Sequence, residues 1–405
     1  MQETLETVHM SGKFKDSDGG NSAYGFSGGM HGVGSTAVLA VSSKFRITSR
    51  RNSPSEKGSF TLSYSSKSRG EAPTCDGPVS KSVFFSGTGT AVEFSPDYSV
   101  FKECEEDGFD WASVAEKIRK QIFLIEGIRI TLKNVPAGTE EILFNEKGIA
   151  SYFDSVKIRN SDGSDAAFTT PVFAGTAFQE VVFDQKTGTY RAHEDDTEKF
   201  RASVTPAKFR KWLDDKKESG ALFVEVDAAS AWANDFDYDP IADVASYANS
   251  IHTSQGGSHK DGFIDGIRNF LMKSLKNDGF KRLGQLEKEP KHVLSGLKGI
   301  VSVRSPRNHF KSQTKDLLAT PYLRPIVKNL TERILEREMN KTELQKIKKQ
   351  IVQSMDFAAK VKNAKESVVS NGSKEAKRFV ASKLVDAYSK KREECELFIV
   401  EGDSA

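Results

Sequence analysis

Alternation of apolar and polar residues predicts strands in the first third of the chain. The stretches SFTLSYSS and TAVEFSPD, which begin at Ser59 and Thr90, place apolar side chains at alternate positions. A period of two is typical of a strand with one buried face. Before them, the glycine- and serine-rich loop GGNSAYGFSGGMHGVGS leads into a short apolar helix near Ser35. We therefore expect an α/β sandwich up to about residue 110.

A second α/β unit is predicted from Trp111 to about Thr320. A helix over WASVAEKIRKQIFLIEG precedes the apolar strand IRITLKNV. Further strands, ALFVEVDAASAW and GIVSVRS, alternate with a helical pattern around GFIDGIRNFLMKSLK. Strands that alternate with helices favour a mixed α/β domain.

Helical spacing of apolar residues marks the last part of the chain. From Leu330 to about Ser367 we expect a helix that begins after Pro321 and Pro325, and SVVSNGSKE ends it. Its packing face consists of Leu344, Ile347, Ile351, Met355 and Ala358. A basic helix follows, and ELFIVEGDSA is predicted as a buried strand with a carboxylate-bearing loop. The predicted domains are 1–110, 111–325, a helical linker over 326–393, and the start of another domain at 394–405.

Charge is nearly balanced over the whole chain. Lysine and arginine number 59, and aspartate and glutamate number 56, which leaves a net charge of +3. This balance argues against a dedicated DNA-coating protein, which is strongly basic. Basic residues concentrate between Lys341 and Arg392. We therefore expect any DNA contact to be local and to involve this end of the chain.

The sequence also predicts where the protein works. No apolar run approaches the roughly 18 residues that a membrane span requires, and MQETLETVHM lacks the layout of a secretory signal. We expect no membrane partner and a cytoplasmic location, nucleoid-associated or, for a phage-encoded protein, in the host cytoplasm. Cys75, Cys104 and Cys395 are too few and too scattered for a disulfide framework or a metal site.

Four closely spaced glycines precede the first predicted helix. Gly28, Gly29, Gly32 and Gly34 stand in SGGMHGVG. Backbone without side chains can approach phosphates, and the amides and dipole of a helix N-terminus favour an anion. The spacing matches neither a Walker loop nor a dinucleotide-binding GxGxxG motif. From the residues alone, phosphate binding and an ordinary turn both remain open.

The longer segment GKFKDSDGGNSAYGFSGGMHGVG resembles the ATP lid of the GHKL ATPase superfamily, in its topoisomerase version. The resemblance implies ATP as cofactor, with Lys13 offering a cation to the phosphates and Tyr24 near the base and sugar. It also implies that a run of lid residues wraps the phosphates, namely Gly29, Met30, His31, Gly32, Val33 and Gly34. Downstream, GTGTAVEFSPD resembles the strand whose threonine, here Thr90, lies beside the adenine.

The segment SIHTSQGGSHKDGF resembles a topoisomerase pattern in which a strand turns through two glycines into a helix. Gly256 and Gly257 would allow the sharp turn, and Ser258 is a plausible helix cap. For His259 we identify no partner base or nucleophile, so we expect a capping or packing role.

The segment FKSQTKDLLAT resembles the QTK loop of the transducer domain in type II topoisomerases. The resemblance implies that Lys315 reaches the terminal phosphate of bound ATP as a γ-phosphate sensor and that Gln313 braces it. A lysine suits this role because its ammonium is a compact charge that can follow a phosphate lost on hydrolysis. Outside this context, an isolated QTK would be an ordinary surface lysine.

The end of the chain, ELFIVEGDSA, resembles the first strand and loop of the TOPRIM fold. There Glu401 would help to hold Mg²⁺ and assist strand cleavage, and oxygen ligands suit that ion. Asp403 is expected to be a loop residue only. One carboxylate cannot form the site, because the family's paired aspartates come later.

Together these motifs predict a type IIA DNA topoisomerase region resembling gyrase B. The expected fold is α/β (α+β): a partial GHKL sandwich, a ribosomal S5-like transducer, a helical linker and the first TOPRIM strand. The implied partners are DNA, a second copy through the ATPase region, and a DNA-cleaving subunit that carries the tyrosine. The implied cofactors are ATP and Mg²⁺.

Three alternatives remain open. The glutamate base, the Mg²⁺-binding asparagine and the DxGxG element that the superfamily places before the lid are not found, so we expect this chain alone to be inactive. It would then be an interaction or regulatory module, or one piece of a split topoisomerase subunit. A chaperone- or mismatch-repair-type ATPase would share the lid, but EGDSA argues against it.

Overall fold

A computed structural model describes two successive regions of the chain. The first region contains a small antiparallel sheet within residues 34–101, and the second contains a larger mixed sheet with its helices within residues 109–371. The described residues are Leu5, 34–52, 57–65, 74–78, 88–101, 109–159, 165–234 and 243–371.

The first region is a four-stranded antiparallel sheet preceded by a short helix, in the order β3-β2-β1-β4. Leu39 from the helix packs with Phe45, Tyr64 and Leu5 over one face of the sheet. The predicted strands and the predicted helix near Ser35 are confirmed. The elements are α1 (Gly34–Ala40), β1 (Ser42–Asn52), β2 (Lys57–Ser65), β3 (Thr74–Pro78) and β4 (Gly89–Pro96).

The helix predicted over WASVAEKIRKQIFLIEG is shorter in the structure. Asp110 accepts hydrogen bonds from the first turn of α2 (Trp111–Arg119), and the chain then forms a 3₁₀ turn over Ile122–Leu124. Phe123 and Leu124 are buried by this turn against the second sheet. Tertiary burial of these two side chains outweighs the local helical pattern. A hairpin follows, made of β5 (Arg129–Asn134) and β6 (Thr139–Phe144).

A six-stranded sheet forms the centre of the second region, in the order β10-β9-β11-β15-β12-β13. Strands β12 and β15 are parallel, and the other neighbours are antiparallel. The strands of this region are β7 (Ile158–Arg159), β8 (Asp165–Ala166), β9 (Phe173–Asp184), β10 (Thr189–Ala192), β11 (Leu222–Trp232), β12 (Val244–Ala248), β13 (Ile251–His252), β14 (Gly256–Gly257), β15 (Leu297–Arg304) and β16 (Leu317–Leu318).

Both faces of this sheet carry a packed layer. Helices cover one face, and a 3₁₀ segment at Gly148–Asp154 together with Phe123 and Leu124 covers part of the other. At Gly262, a Cβ atom would lie 2.5 Å from the Arg324 carbonyl oxygen of a neighbouring helix, so this close helix contact requires glycine. The helices are α3 (Thr197–Ser203), α4 (Pro206–Glu218), α5 (Ser258–Asn277), α6 (Leu283–Lys288), α7 (Leu323–Glu338) and α8 (Lys341–Asn371), with a 3₁₀ turn at Pro290–Leu294.

The single helix predicted from Leu330 is two helices, α7 and α8, and α7 begins seven residues earlier than predicted. Pro325 lies in the first turn of α7, where a missing backbone N–H costs no intrahelical hydrogen bond. The predicted packing face of α8 is confirmed, since Ile347, Ile351 and Met355 are buried. Helix α7 packs in the same core as α5. The predicted domain boundary between residues 325 and 326 is not tested by this packing and stays a prediction.

Candidate functional site

The predicted QTK loop is a closed turn at the edge of the second region. Phe310 pairs with Leu318, and the Ala319 N–H donates to the His309 carbonyl at 2.7 Å. Inside this base, the Lys311 N–H donates to the Leu317 carbonyl at 3.0 Å. The segment between these pairs therefore leaves the body of the region and returns to it within a few residues.

Lys315 occupies the tip of this turn in an unusual backbone conformation. Its φ angle is +62°, in the left-handed region, and its N–H donates to the Ser312 carbonyl at 3.1 Å. For a residue with a side chain, such a conformation costs about 1–3 kcal/mol and persists only where neighbours enforce it. Lys315 is partly exposed and Gln313 is exposed. The turn therefore presents both predicted residues at one tip.

The Gly256–Gly257 motif and the QTK motif form one structure. The two glycines of β14 pair in parallel with Leu317 and Leu318 of β16. Gly257 has a φ of +126°, and a Cβ atom there would overlap the Leu318 backbone. Only glycine allows this approach. Two motifs that are about 60 residues apart in the sequence thus share a single contact.

Asp316, next to Lys315, is held by two hydrogen bonds that the sequence did not reveal. Its carbonyl accepts from the Gln255 N–H at 3.0 Å, and its Oδ1 accepts from the Ser254 Oγ at 3.1 Å. Both donors, Ser254 and Gln255, directly precede Gly256 and Gly257 in the sequence. The Gly-Gly motif alone does not indicate which group they bind. The turn before α5 therefore contacts both the backbone and the side chain of Asp316.

Gly257, rather than Ser258, occupies the cap position of α5, so the predicted serine cap is wrong. The Ser258 Oγ instead donates to the Leu318 carbonyl at 3.4 Å, which again joins α5 to β16. The physical reason is that the close approach to Leu318 requires a residue without a side chain at the cap position.

His259 is fully buried in the first turn of α5. Its Nε2 lies 3.0 Å from Thr253 Oγ1, which in turn lies 2.7 Å from Ser246 Oγ on β12. Burial, aided by the nearby Lys260 charge, lowers the pKa of His259 to about 3. The ring is therefore neutral near pH 7, and the expected packing role is consistent with this environment.

Known proteins that are similar to this chain include DNA gyrase B. A model of the DNA gyrase B family matches residues 183–368, which include the Gly-Gly turn, the QTK turn and most of α8. The chain is 30% identical over 415 residues to the chloroplastic/mitochondrial DNA gyrase B of Nicotiana benthamiana, covering 100% of this chain and 48% of that protein. Over its whole length the chain is thus similar to the B subunit of DNA gyrase.

Further relatives agree with this placement. The B subunit of DNA topoisomerase 4 from Mycoplasma pneumoniae is 27% identical over 413 residues, covering 99% of this chain and 54% of that protein. The gyrase B-like chain thus spans about half the length of the curated relatives it matches.

Solved structures show the fold. The 43K ATPase domain of Thermus thermophilus gyrase B, in complex with an aminocoumarin, matches with a TM-score of 0.52 and 20% identity, covering 83% of this chain and 74% of that chain. The topoisomerase IV ATP-binding domain of Francisella tularensis matches with a TM-score of 0.53 and 16% identity, covering 82% and 75%. The predicted α/β class is confirmed, and the transducer and TOPRIM assignments stay predictions.

The other predicted nucleotide contacts fall in or before the first region of the gyrase B-like chain. Thr90 is exposed on β4, opposite Ser49 of β1. Gly34 is the first residue of α1, and apart from its chain neighbours and its own helix backbone no described atom lies within 4 Å of the place where its Cβ would be. Both positions are open to a ligand. The remaining predicted residues lie outside the described residues: Lys13, Tyr24, Gly29, Met30, His31, Gly32, Val33 and Glu401.

A polar cleft in the second region was not predicted. Arg304 on β15 donates to both Glu225 and Asp227 on β11, beside a cleft of about 730 Å³. Burial raises the pKa of Glu225, although the Arg304 charge opposes the shift. Two acidic residues at alternate positions of the apolar strand ALFVEVDAASAW were the available signal. Since the three charged groups bind one another, we assign this cluster a structural role.

No metal centre is formed within the described ranges, because no three His, Cys, Asp or Glu side chains come close enough to hold an ion. The predicted Mg²⁺ ligand Glu401 lies outside these ranges, so that site stays a prediction. Among the described helices, none is both long enough and apolar enough to cross a membrane.

Proposed function

We propose that this chain forms the ATP-binding and transducing part of a type II DNA topoisomerase. The complete enzyme would hydrolyse ATP and change DNA topology by passing one duplex through another. The observation that carries this proposal is the Lys315 turn, which presents an ammonium group from a strained tip that is anchored to a packed core. The family match over residues 183–368 includes this turn.

The residues present fit ATP as the cofactor. Thr90 and Gly34 are exposed and open to a ligand, as an adenine contact and a phosphate contact would require. Lys315 would pair with the terminal phosphate, and Gln313 would brace it from the same tip. When bound, ATP supplies a phosphate whose charge is present before hydrolysis and lost afterwards. A lysine is suited to report this difference because its ammonium binds as a point charge.

The structure offers a route by which the turn acts on the rest of the region. Displacement of Leu318 is opposed by Gly257, because their backbones are already in contact. Gly257 caps α5, and α5 packs closely on α7 at Gly262. Movement of the Lys315 turn would therefore be passed to these two helices as a rigid-body shift.

DNA, a second copy of the chain and a tyrosine-bearing subunit are the proposed partners. Helix α8 supports the DNA partner, since Lys341, Lys349, Lys360 and Lys362 are all exposed along it. Such lysines neutralise backbone phosphates without reading sequence. Mg²⁺ is proposed as a second cofactor, and the protein would act with the DNA in a bacterial or phage-infected cytoplasm.

Substitution of Lys315 tests the proposal. In the complete protein, Lys315→Ala should weaken binding of a non-hydrolysable ATP analogue by about tenfold to a hundredfold, because a charge-assisted hydrogen bond contributes about 1.5–3 kcal/mol. ADP binding should change little, since ADP lacks the terminal phosphate. Crosslinking of the dimer in the presence of the analogue should fall in parallel.

Lys311→Ala is the matched control, because Lys311 is exposed on the same turn but outside the QTK triplet. Equal effects of the two substitutions would show that the turn acts through bulk charge. No effect of either on nucleotide binding or crosslinking would favour the alternative of a non-catalytic interaction module.

A further inference from the structure

The Lys315 turn is positioned by the segment that precedes α5, residues 253–257. Resting on the proposed function, we propose that Ser254, Gly257 and Asp316 are positioning residues for Lys315. They set where its ammonium lies, and through it they set the preference for a triphosphate over a diphosphate. None of the three needs to touch the nucleotide for this role.

Gly257 and Leu318 are in direct backbone contact. The β14–β16 pairing places their backbones so close that no side chain fits between them. Leu318 is buried and anchors the C-terminal arm of the turn. This arm therefore has a fixed stop, and its position follows that of Gly257.

The backbone on either side of Lys315 is held by hydrogen bonds. The Lys315 N–H is bound to the Ser312 carbonyl, and the next residue, Asp316, is bound through both its carbonyl and its side chain. A left-handed residue relaxes to an ordinary conformation unless both flanks are held. Such a relaxation would rotate the whole lysine side chain to another direction. The Ser254–Asp316 hydrogen bond therefore bears on the direction of the ammonium.

The segment that carries Ser254 is itself bonded to the central sheet. Thr253, which precedes Ser254, is buried, and its hydroxyl lies within hydrogen-bond distance of Ser246 on β12 and of His259 on α5. Its N–H also donates to the Ser246 carbonyl at 2.9 Å. Ser254 thus extends from the central sheet, and it holds Asp316 relative to that sheet.

A simple structural role is distinguishable from positioning because Ser254 is exposed and Asp316 is partly exposed. Loss of an exposed hydrogen bond has a small effect on folding. Removal of the Asp316 carboxylate also removes a negative charge beside the proposed phosphate site, and by charge alone this would improve phosphate binding. A loss of triphosphate preference on removing Asp316 would therefore report position.

The test measures, in the complete protein, the ratio of affinities for a non-hydrolysable ATP analogue and for ADP. Ser254→Ala and Asp316→Ala should each lower this ratio by about threefold to tenfold, which corresponds to one misplaced hydrogen bond to phosphate. Asp316→Asn should retain the wild-type ratio or exceed it, because its amide oxygen still accepts from Ser254. In a Lys315→Ala background, none of these changes should lower the ratio further.

The glycines provide a matched pair. Gly256→Ala and Gly257→Ala both place an alanine at positive φ, but the atoms nearest to the new Cβ belong to the flexible Lys260 side chain at Gly256 and to the Leu318 backbone at Gly257. Gly257→Ala should lower the ratio more than Gly256→Ala. Hydrogen exchange at the Lys311 amide in the 405-residue chain gives a second readout, and it should be faster in Ser254→Ala.

Four results overturn the positioning role. Equal losses of affinity for both nucleotides would indicate general damage, and a further loss in the Lys315→Ala background would show that Ser254 and Asp316 act independently of the lysine. If Lys315→Ala itself leaves the ratio unchanged, the proposed function fails as well. A lowered ratio for Lys315→Ala with unchanged ratios for Ser254→Ala and Asp316→Ala would overturn the positioning role alone.

Discussion

The two described regions of the chain differ in how completely their sheets are covered. In the second region, every residue of β11 except Leu222 is buried, and so is every residue of β15 except Arg304. In the first region, β4 leaves Val92 51% exposed and Phe94 44% exposed, although both point to the same face as the buried Phe45. The face that carries Phe45 is therefore only partly covered at β4, whereas Thr48 and Thr61 on the opposite face are each 2% exposed.

This difference in coverage bears on the proposed roles of the two regions in nucleotide binding. The Lys315 turn is tied by β14 and β16 to the fully packed region, whereas Thr90 stands on the exposed strand β4. The proposed sensor Lys315 needs a fixed reference, and dense packing supplies one because packed cores deform little. A ligand-facing wall needs open surface, and β4 has it. We expect substitutions in the packed second region to cost more stability than substitutions on the exposed part of the first sheet.

Core truncation should separate the regions most strongly. Leu271→Ala, in the centre of α5 with 0% exposure, should destabilise the second region by about 2–5 kcal/mol, since it removes buried methyl groups and leaves a cavity. Val92→Ala should cost less than about 1 kcal/mol because half of that side chain is already in water. Urea unfolding followed by circular dichroism reports both regions, and fluorescence of the three tryptophans, at 111, 212 and 232, follows the second region alone. Similar midpoints for both variants would remove the proposed contrast.

The same contrast should hold for ion pairs. Arg304→Met leaves Glu225 and Asp227, which are 8% and 9% exposed, without their partner and close to each other. We expect a loss of about 2–3 kcal/mol, below the range for a fully buried pair because Arg304 retains some exposure. Arg46→Met, which breaks the exposed pair with Glu93 at 3.3 Å in the first sheet, should cost at most about 1 kcal/mol. Urea denaturation of both variants by circular dichroism measures the difference, and equal losses would contradict it.

The sequence predicted those parts of the fold that depend on local periodicity. Alternation located β2 and β4, and helical spacing located the buried face of α8. It failed where distant contacts decide, as at Arg119, where burial of Phe123 and Leu124 ends a helix that the local pattern would continue. The predicted start of α7 was too late for a related reason. A proline indicates a break in a helix unless the helix start is already known, and Pro325 lies in the first turn of α7.

The motifs of the candidate site were predicted from the sequence, but the contacts between them were not. Resemblance supplied the Gly-Gly turn and the QTK turn as separate motifs, yet their parallel pairing joins residues about 60 positions apart, and no local pattern encodes such a contact. The role of Ser254 was missed for the same reason, because its partner Asp316 is on the far side of α5 in sequence. The lid residues before Gly34 and Glu401 lie outside the described residues, and their roles stay predictions.

In helix α8, one buried polar side chain bonds the helix to segments that flank the strands of the second region. Gln350 is buried and bonds three segments: its Oε1 accepts from Thr169, and its Nε2 donates to the carbonyls of Ala233 and Ser295. Gln350→Ala should cost about 1–3 kcal/mol, since it leaves buried polar groups unpaired. Gln353→Ala, exposed on the same helix, should change stability by less than about 0.5 kcal/mol. Fluorescence-detected unfolding compares the two, and a result in which they match would indicate that α8 is not anchored at Gln350.

His259 gives the stability of the second region a dependence on pH. Burial lowers its pKa to about 3 in the folded chain from an ordinary value of 6.5, so the unfolded chain binds the proton more readily. The contribution is therefore fully present above about pH 6.5 and is lost as the pH falls toward 3, at up to about 1.4 kcal/mol per pH unit for one proton. Urea midpoints measured by fluorescence between about pH 7 and pH 4.5 should fall, and His259→Gln, which cannot titrate, should show a shallower fall from a lower starting stability. Parallel pH profiles for the two proteins would show that His259 accepts a proton while folded, and that the interior next to the Lys315 turn is less well sealed than its burial implies.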